Sequence, residues 1–95
     1  MLRRTARYTE DLHDVWAYIA RDNLLAADLV IQQIEARVTP LATYPELGEQ
    51  QPQFGDEVRR ITIGSYLLYY EYHPDVVTVL RVLHAARRIE DLGTQ

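Results

Sequence analysis

Hydrophobic residues in the first half of the chain recur with the period of an α-helix. From Leu12 onward they follow at i+3, i+4 and i+7, which is the stripe of an amphipathic helix. A second stripe lies on one face of the next segment and comprises Ala27, Val30, Ile31, Ile34, Val38 and Leu41. The polar residues 21–23 separate the two stripes, and so short a turn predicts an antiparallel helical hairpin.

Capping residues and prolines indicate where these helices begin and end. Residues 2–9 alternate loosely and predict a short first strand, after which Thr9 caps the first helix. Asn23 is in position to cap the second helix. Because Pro40 has no backbone N–H, we expect the second helix to end or kink around Thr39.

The second half of the chain changes to strand-like runs. A loop rich in proline and glycine over residues 44–55 precedes three predicted strands at about 57–63, 66–72 and 76–84. The connections at residues 64–65 and 73–75 are short enough to join these strands as antiparallel hairpins. The predicted fold is therefore α+β, ordered strand, helix, helix, strand, strand, strand, in a single domain over residues 1–95.

Both faces of the predicted sheet are largely apolar. Strict alternation in the last strand would place Val77, Val79, Arg81 and Leu83 on one face and Val76, Leu80 and Val82 on the other. One helical hairpin covers one face, and an exposed apolar face commonly marks an interaction site, so we expect a partner protein to cover the other. We expect the core to include Leu12, Trp16, Ile31 and Ile34.

Composition and charge narrow the class of protein. The 95 residues contain no cysteine, which excludes disulfides, and no run approaches the roughly 18 apolar residues of a membrane span, so we expect a cytoplasmic protein without membrane association. The net charge is −4 and lysine is absent. Because proteins that bind nucleic acid mainly through charge are usually strongly basic, we expect no direct sequence-specific nucleic-acid binding.

Five arginines bracket the predicted sheet: Arg59, Arg60, Arg81, Arg87 and Arg88. If the last strand pairs centrally, they converge at one end of the sheet, where guanidinium groups suit phosphates or carboxylates. His84 ends the last strand beside them and has the chemistry of a general acid or base near neutral pH. The alternative is a solvated strand end with salt bridges, and a histidine that packs without taking part in chemistry.

Other signatures of catalysis are missing from the sequence. His13, His73 and His84 have no ligand-like spacing, so we expect no metal site and no cofactor. There is no glycine-rich phosphate loop, no Ser-His-Asp pattern and no cysteine nucleophile. The residues therefore favour a binding protein over an enzyme.

Four local patterns occur in order along the chain: Asn23 with Ala26-Ala27, Pro45-x-x-Gly48, Arg60 before Gly64-x-Tyr66, and Val82-Leu83-His84 followed by Arg87. Together with the element order, they resemble the ParE branch of the RelE/ParE superfamily, over about residues 7–92. These proteins are toxins of bacterial type II toxin–antitoxin systems. The resemblance implies a compact α+β toxin that a ParD-like antitoxin, encoded beside it, neutralises by covering the helical hairpin and the sheet.

The resemblance also implies which surfaces contact which partner. We expect antitoxin contacts from Val77, Val79, Leu83, Leu25 and Leu29. ParE-like members act on DNA gyrase, and the expected target contacts are the five arginines that bracket the sheet.

Two alternatives remain at this point. RelE-like members cut messenger RNA on the ribosome, and Arg60, His84 and Arg87 would then be the catalytic residues. The absence of lysine, the net negative charge and the lack of a tyrosine after the last arginines favour the ParE branch. A third hypothesis is a toxin fold that has lost its target and is retained as an antitoxin-binding module.

Overall fold

A computed structural model describes residues 1–86, so Arg87 and Arg88 lie outside the described residues. A short strand β1 (Leu2–Arg4) precedes the helices α1 (Ala6–Ala20) and α2 (Leu24–Val38). A 3₁₀ turn (Thr39–Ala42), a two-residue strand β2 (Glu49–Gln50) and a second 3₁₀ turn (Pro52–Phe54) follow. The chain then forms the strands β3 (Val58–Ile63), β4 (Tyr66–His73) and β5 (Val76–His84).

The five strands form one sheet in the order β1-β5-β4-β3-β2. The pairs β2–β3, β3–β4 and β4–β5 are antiparallel, whereas β1 runs parallel to β5. The helical hairpin packs on one side, which we call the helix face, and we call the other side the outer face. The predicted α+β class and element order are confirmed, with β5 in the interior of the sheet as the sequence analysis supposed.

Several predicted boundaries are confirmed because they depend on local chemistry. The Asn23 side chain accepts a hydrogen bond from the Ala26 N–H at 3.0 Å and caps α2. The helix ends at Val38, and Pro40 lies in the 3₁₀ turn that follows. Gly64 has φ +58, which favours glycine, in the two-residue turn between β3 and β4.

The N-terminal strand is shorter than predicted. β1 ends at Arg4, and Thr5, not Thr9, caps α1 by accepting a hydrogen bond from the Tyr8 N–H at 3.0 Å. The hydroxyl of Thr5 also donates to the Leu80 carbonyl at 2.9 Å, so one side chain joins the helix start to β5. The prediction that residues 2–9 are a strand is therefore wrong beyond Arg4, and Tyr8 enters the helix and becomes fully buried.

The core on the helix face contains eleven buried residues, namely Tyr8, Ile34, Val38, Leu41, Ile61, Ile63, Leu68, Tyr70, Val77, Val79 and Val82. Of the residues predicted for the core, Ile34 is fully buried and Leu12 packs partly buried against it. Trp16 and Ile31 are half-buried instead. The indole N–H of Trp16 donates to Asp28 Oδ1 at 2.8 Å, so this side chain joins the two helices near the surface.

The outer face is less exposed than the sequence analysis expected. A second cluster of Val58, Tyr69 and Leu80 is buried there, with Phe54 and Leu67 packed against it. The Phe54 ring meets the Tyr69 ring edge-on at 5.5 Å between centroids. The chain's own 3₁₀ turn therefore covers part of this face, and the expectation that the face is open to a partner is wrong for that part.

The free edge of β5 is closed by groups from the start of the chain. β1 pairs with β5 only as far as Val79, beyond which the strand would have no neighbour on that side. The Thr5 N–H donates to the Val79 carbonyl at 3.1 Å, and one step further the Asp11 carboxylate accepts the Val82 N–H at 3.1 Å. α1 thus replaces a strand at this edge, since exposed strand edges invite unwanted pairing.

The same Asp11 carboxylate holds the guanidinium of Arg81. Arg81 Nε donates to Asp11 Oδ2 at 2.7 Å and Nη2 donates to Oδ1 at 3.0 Å, a bidentate pair. Each side chain is only 7% exposed. The pair is therefore a buried ion pair whose remaining acceptor capacity is used by the Val82 backbone.

A second ionic network joins β1, α1 and α2. Arg4 Nη2 donates to Glu35 Oε1 at 2.7 Å, and the hydroxyl of the buried Tyr8 donates to Glu35 Oε2 at 2.6 Å. Burial by itself would raise the pKa of Glu35, but the hydrogen bonds from Arg4 and Tyr8 outweigh it, and the pKa lies below its usual value. Burial and the Glu35 hydrogen bond in turn raise the pKa of Tyr8 far above its ordinary range.

We predict that Asp11→Ala strongly destabilises the fold. Removing one partner of a buried ion pair costs about 3–5 kcal/mol, because the other charge stays buried without it. The Val82 N–H would also lose its acceptor. Chemical denaturation should show a free energy of unfolding lower by about 3 kcal/mol, equivalent to a fall in Tm of roughly 15 °C.

The matched control is Asp14→Ala, one turn along the same helix. Asp14 is exposed, so its loss should change the free energy of unfolding by less than about 0.5 kcal/mol. Equal effects of the two variants would contradict the assignment of the stabilisation to the buried pair.

A pH-dependent contribution should come from Glu35. Its folded-state pKa lies below the ordinary value of 4.5, so its stabilisation is fully present above pH 4.5 and is lost as the pH falls through the lower folded-state value. The stability difference between the parent chain and Glu35→Gln should therefore be constant from pH 5 to 7 and shrink in more acidic solution. A difference that grows on acidification would contradict this sign.

Candidate functional site

Two of the arginines predicted to bind the target lie side by side on β3 but face opposite ways. Arg59 is paired with Tyr70 across the ladder and lies on the helix face, whereas Arg60 is paired with Tyr69 and lies on the outer face. Arg59 Nη1 donates to the carbonyls of Gly48 at 2.8 Å and Glu46 at 3.4 Å. Arg60 Nη2 lies 3.6 Å from Glu49 Oε1, with its side chain 30% exposed.

Arg81 is not on the surface at all. Its residue is 6% exposed and its guanidinium is held by the Asp11 carboxylate. Its predicted role as an exposed target contact is therefore wrong. The pairing of opposite charges 70 positions apart leaves no local signal in the sequence.

Arg60 and His84, the two residues of the alternative nuclease site that the structure describes, are not brought together. His84 is paired with Tyr66 and lies on the helix face, while Arg60 lies on the outer face. The two are also three ladder positions apart, roughly 10 Å along the strands. His84 Nδ1 accepts the Ala86 N–H at 3.1 Å, and the ring meets Tyr66 edge-on at 5.5 Å between centroids, which is the packed state of a strand-end histidine.

The predicted antitoxin contacts on β5 need correction. The pairing of β4 with β5 shifts between Tyr69 and Tyr70, so that Leu80 is an extra residue in β5, a β-bulge. Alternation therefore breaks at Leu80, and Val77 and Val79 lie on the helix face, where they are 3% and 0% exposed. They cannot contact a partner in the folded chain. Leu83 is 5% exposed and lies at the margin of a groove.

Four large exposed apolar side chains lie instead at the turn of the helical hairpin. Leu24, Leu25 and Leu29 of α2 are 62%, 71% and 51% exposed, and Tyr18 near the end of α1 is 70% exposed. We call these four residues the hairpin patch. The sequence analysis named Leu25 and Leu29 as surface contacts but not Leu24 or Tyr18. Because α2 is apolar on more than one side, its sequence does not show that Leu24 is exposed.

A groove of about 380 Å³ begins beside this patch, between α1 and the ends of β4 and β5. Its lining combines apolar and acidic side chains: Asp11, Asp14, Val15, Tyr18, Tyr66, Val82, Leu83 and His84. Burial raises the pKa of Tyr66, and the nearby Tyr18 adds to the effect. Because Tyr18 belongs to both, the groove and the hairpin patch form one continuous surface.

A second exposed feature is the loop between the first 3₁₀ turn (Thr39–Ala42) and β2. The hydroxyl of Tyr70 donates to the Pro45 carbonyl at 2.6 Å and accepts the Gly48 N–H at 2.8 Å. A Cβ at residue 48 would lie 2.8 Å from that hydroxyl and 2.9 Å from the Arg60 carbonyl, so glycine is required for this close approach. The Pro45-x-x-Gly48 pattern of the sequence is thus a turn that Tyr70 holds against the sheet.

Comparison with known proteins identifies the family. The family model for the ParE toxin of type II toxin-antitoxin systems, parDE, matches residues 2–89. The chain belongs to the ParE toxin family. No curated protein sequence matches it closely.

A solved structure supports the fold of this ParE family member. The chromosomal ParDE TA system from P. aeruginosa contains a chain that is 21% identical, with a TM-score of 0.73. The match covers 87% of this chain and 92% of that one. At this level of identity the likeness shows that the two share a fold.

Within residues 1–86, no helix is long and apolar enough to cross a membrane. The same residues contain no group of three or more histidine, aspartate or glutamate side chains placed to hold a metal ion.

We predict that Tyr70→Phe loosens the loop without unfolding the ParE domain. The change removes the acceptor of the buried Gly48 N–H and the donor to Pro45, and one unsatisfied buried group costs about 1–3 kcal/mol. Chemical denaturation should show a loss in that range, and amide exchange at Gly48 should accelerate. Tyr44→Phe is the matched control, since its side chain is 62% exposed and its loss of a hydroxyl should be neutral.

Proposed function

We propose that this ParE family member is a toxin that inhibits DNA gyrase and is neutralised by a ParD-like antitoxin. Membership of the family supports the toxin assignment, and the similar solved structure is described as a ParDE toxin–antitoxin system, which supports the choice of partner. We place its action in the cytoplasm, where gyrase meets the chromosome.

The hairpin patch is the observation that carries the antitoxin part of the proposal. Three leucines and a tyrosine exposed together at one end of a small domain are unusual unless a partner covers them. The patch continues into a groove whose walls are apolar and whose rim includes Asp14. An amphipathic segment with leucine-like anchors and a nearby cationic residue fits both parts, in the manner of a helix that binds in a groove.

The antitoxin contacts are therefore reassigned. Leu25 and Leu29 keep the role expected from the sequence, and Leu24 and Tyr18 join them, whereas the buried Val77 and Val79 are withdrawn. Leu83 is retained because it borders the groove.

Binding, not catalysis, accounts best for the rest of the molecule. A nuclease would need a proton acceptor beside the groups that stabilise the phosphate charge. His84 and Arg60 lie on opposite faces of the sheet, and Arg81 is neutralised by Asp11. Arg60, which is partly exposed, stays in the proposal as a target contact.

One assay tests both halves of the proposal. The parent chain and Leu25→Ser/Leu29→Ser are added to gyrase with supercoiled DNA, with and without the antitoxin encoded beside the toxin gene. We expect both toxins to produce gyrase cleavage complexes, because the hairpin patch is assigned to the antitoxin. The antitoxin should suppress the parent chain, and the variant should need about 100-fold more antitoxin, since two buried leucines contribute at least 3 kcal/mol.

Gln32→Ser/Gln33→Ser provides the control, because it changes two exposed polar residues of the same helix and should leave suppression unchanged. Loss of gyrase activity in the double-leucine variant would contradict the division of surfaces. New messenger RNA ends on translating ribosomes, without gyrase cleavage complexes, would contradict the gyrase assignment and favour the RelE-like alternative.

A further inference from the structure

Within residues 1–86, three large apolar side chains are exposed away from the hairpin patch, namely Met1, Tyr44 and Leu47. Tyr44 and Leu47 are each 62% exposed, and they occupy the first and last positions of a tight turn in which the Leu47 N–H donates to the Tyr44 carbonyl at 3.2 Å. This turn places both side chains together. We call them the turn patch.

Hydrogen bonds to the backbone of residues 44–48 fix the conformation of the turn that carries the turn patch. The Tyr44 N–H donates to the Pro40 carbonyl at 2.8 Å, and Tyr70 bonds the backbone at residues 45 and 48. Arg59 bonds the carbonyls at residues 46 and 48. A loop that is already ordered loses little entropy on binding, which favours its use as a recognition surface.

The turn patch lies far from the hairpin patch. The leucines of the hairpin patch occupy the first turns of α2, and the turn patch follows the end of that helix at Val38. From Leu25 to Val38 a helix rises about 20 Å. One surface for the antitoxin and a second for another partner can therefore coexist on the same chain.

The charge around the turn patch indicates what that partner is like. Glu46 lies within the turn and Glu49 follows it, with its side chain 80% exposed. The backbone bond from Gln51 to Val58 places the exposed Asp56 and Glu57 beside them. The nearby Arg59 is turned inward onto backbone carbonyls, and Arg60 lies 3.6 Å from Glu49, so acidic side chains outnumber the basic ones beside the two apolar side chains and form an acidic rim. A complementary partner surface is apolar with a basic rim.

We propose that the turn patch is the surface through which this chain contacts gyrase. The inference rests on the proposed function and names the contact within it. An enzyme that handles DNA carries the positively charged surface that an acidic rim recognises. Arg59 and Tyr70 are then positioning residues that hold the turn, and the contact itself comes from Tyr44 and Leu47.

The test compares Tyr44→Ser/Leu47→Ser with Leu25→Ser/Leu29→Ser, two exposed apolar residues changed in each. The toxin concentration for half-maximal gyrase cleavage and the antitoxin Kd are measured for both, with circular dichroism to confirm folding. We expect the turn variant to need at least tenfold more toxin on gyrase while binding antitoxin within twofold of the parent chain. The hairpin variant should show the opposite pattern.

A charge variant tests the acidic rim. Glu46→Lys should raise the half-maximal concentration severalfold and reduce its dependence on salt, because it replaces attraction to a basic surface by repulsion. An unchanged response to salt would contradict the inferred complementarity.

The outcomes separate the inference from the proposed function. A turn variant that inhibits gyrase as well as the parent chain contradicts the inference and leaves the proposed function standing. If the turn variant loses antitoxin affinity, the turn patch binds the antitoxin. If it converts a toxin dimer to a monomer with inhibition unchanged, the patch binds a second copy of the chain. Either result also contradicts the inference. A parent chain that neither binds nor inhibits gyrase contradicts both.

Discussion

The carboxylate of Asp11 joins α1 to the last strand, β5. It accepts hydrogen bonds from both the guanidinium of Arg81 and the Val82 N–H. Without it the last part of β5 would have an open edge, and α1 would lose its anchor to the sheet. The three bonds satisfy a charge that would otherwise be too costly to bury. The position of α1 therefore depends on this contact, and the groove between α1 and the strand ends depends on the position of α1.

Three arginines, Arg4, Arg59 and Arg81, stabilise the toxin's own structure. Arg81 binds α1 through Asp11, and Arg59 donates to the backbone of the turn before β2. Arg4 in β1 binds α2 through Glu35. Each of them meets carboxylate or carbonyl oxygens, for which the planar guanidinium is well suited. The guanidinium groups of Arg81 and Arg59 are therefore occupied within the fold and are not presented to a partner.

Local chemistry made much of the fold predictable, and long-range contacts limited the rest. Asn23, Pro40 and Gly64 act on their immediate neighbours, so the hairpin and the strand boundaries followed from the sequence. Thr5 was not predicted as the cap because residues 2–9 alternate like a strand, and the bond that fixes Thr5 to β5, from its hydroxyl to the Leu80 carbonyl, joins positions 75 apart. The bulge at Leu80 inverted the expected faces of β5, which is why Val77 and Val79 were assigned to a surface. The exposure of Leu25 and Leu29 could be predicted because they lie to the side of the buried stripe of α2.

The surfaces proposed for the antitoxin and for gyrase lie about 20 Å apart at opposite ends of α2, so neutralisation would have to act without shared contact residues. Steric exclusion would be sufficient for this. Residues 1–86 belong to a domain with a radius of gyration of 13.0 Å, and a partner of similar size bound at the hairpin patch would extend beyond the length of α2. Under the proposed division of surfaces, a bound antitoxin would exclude a bulky target by collision even where the two share no contact residue. Neutralisation by exclusion would leave each surface free to change separately, so that changes in the hairpin patch need not alter the turn patch.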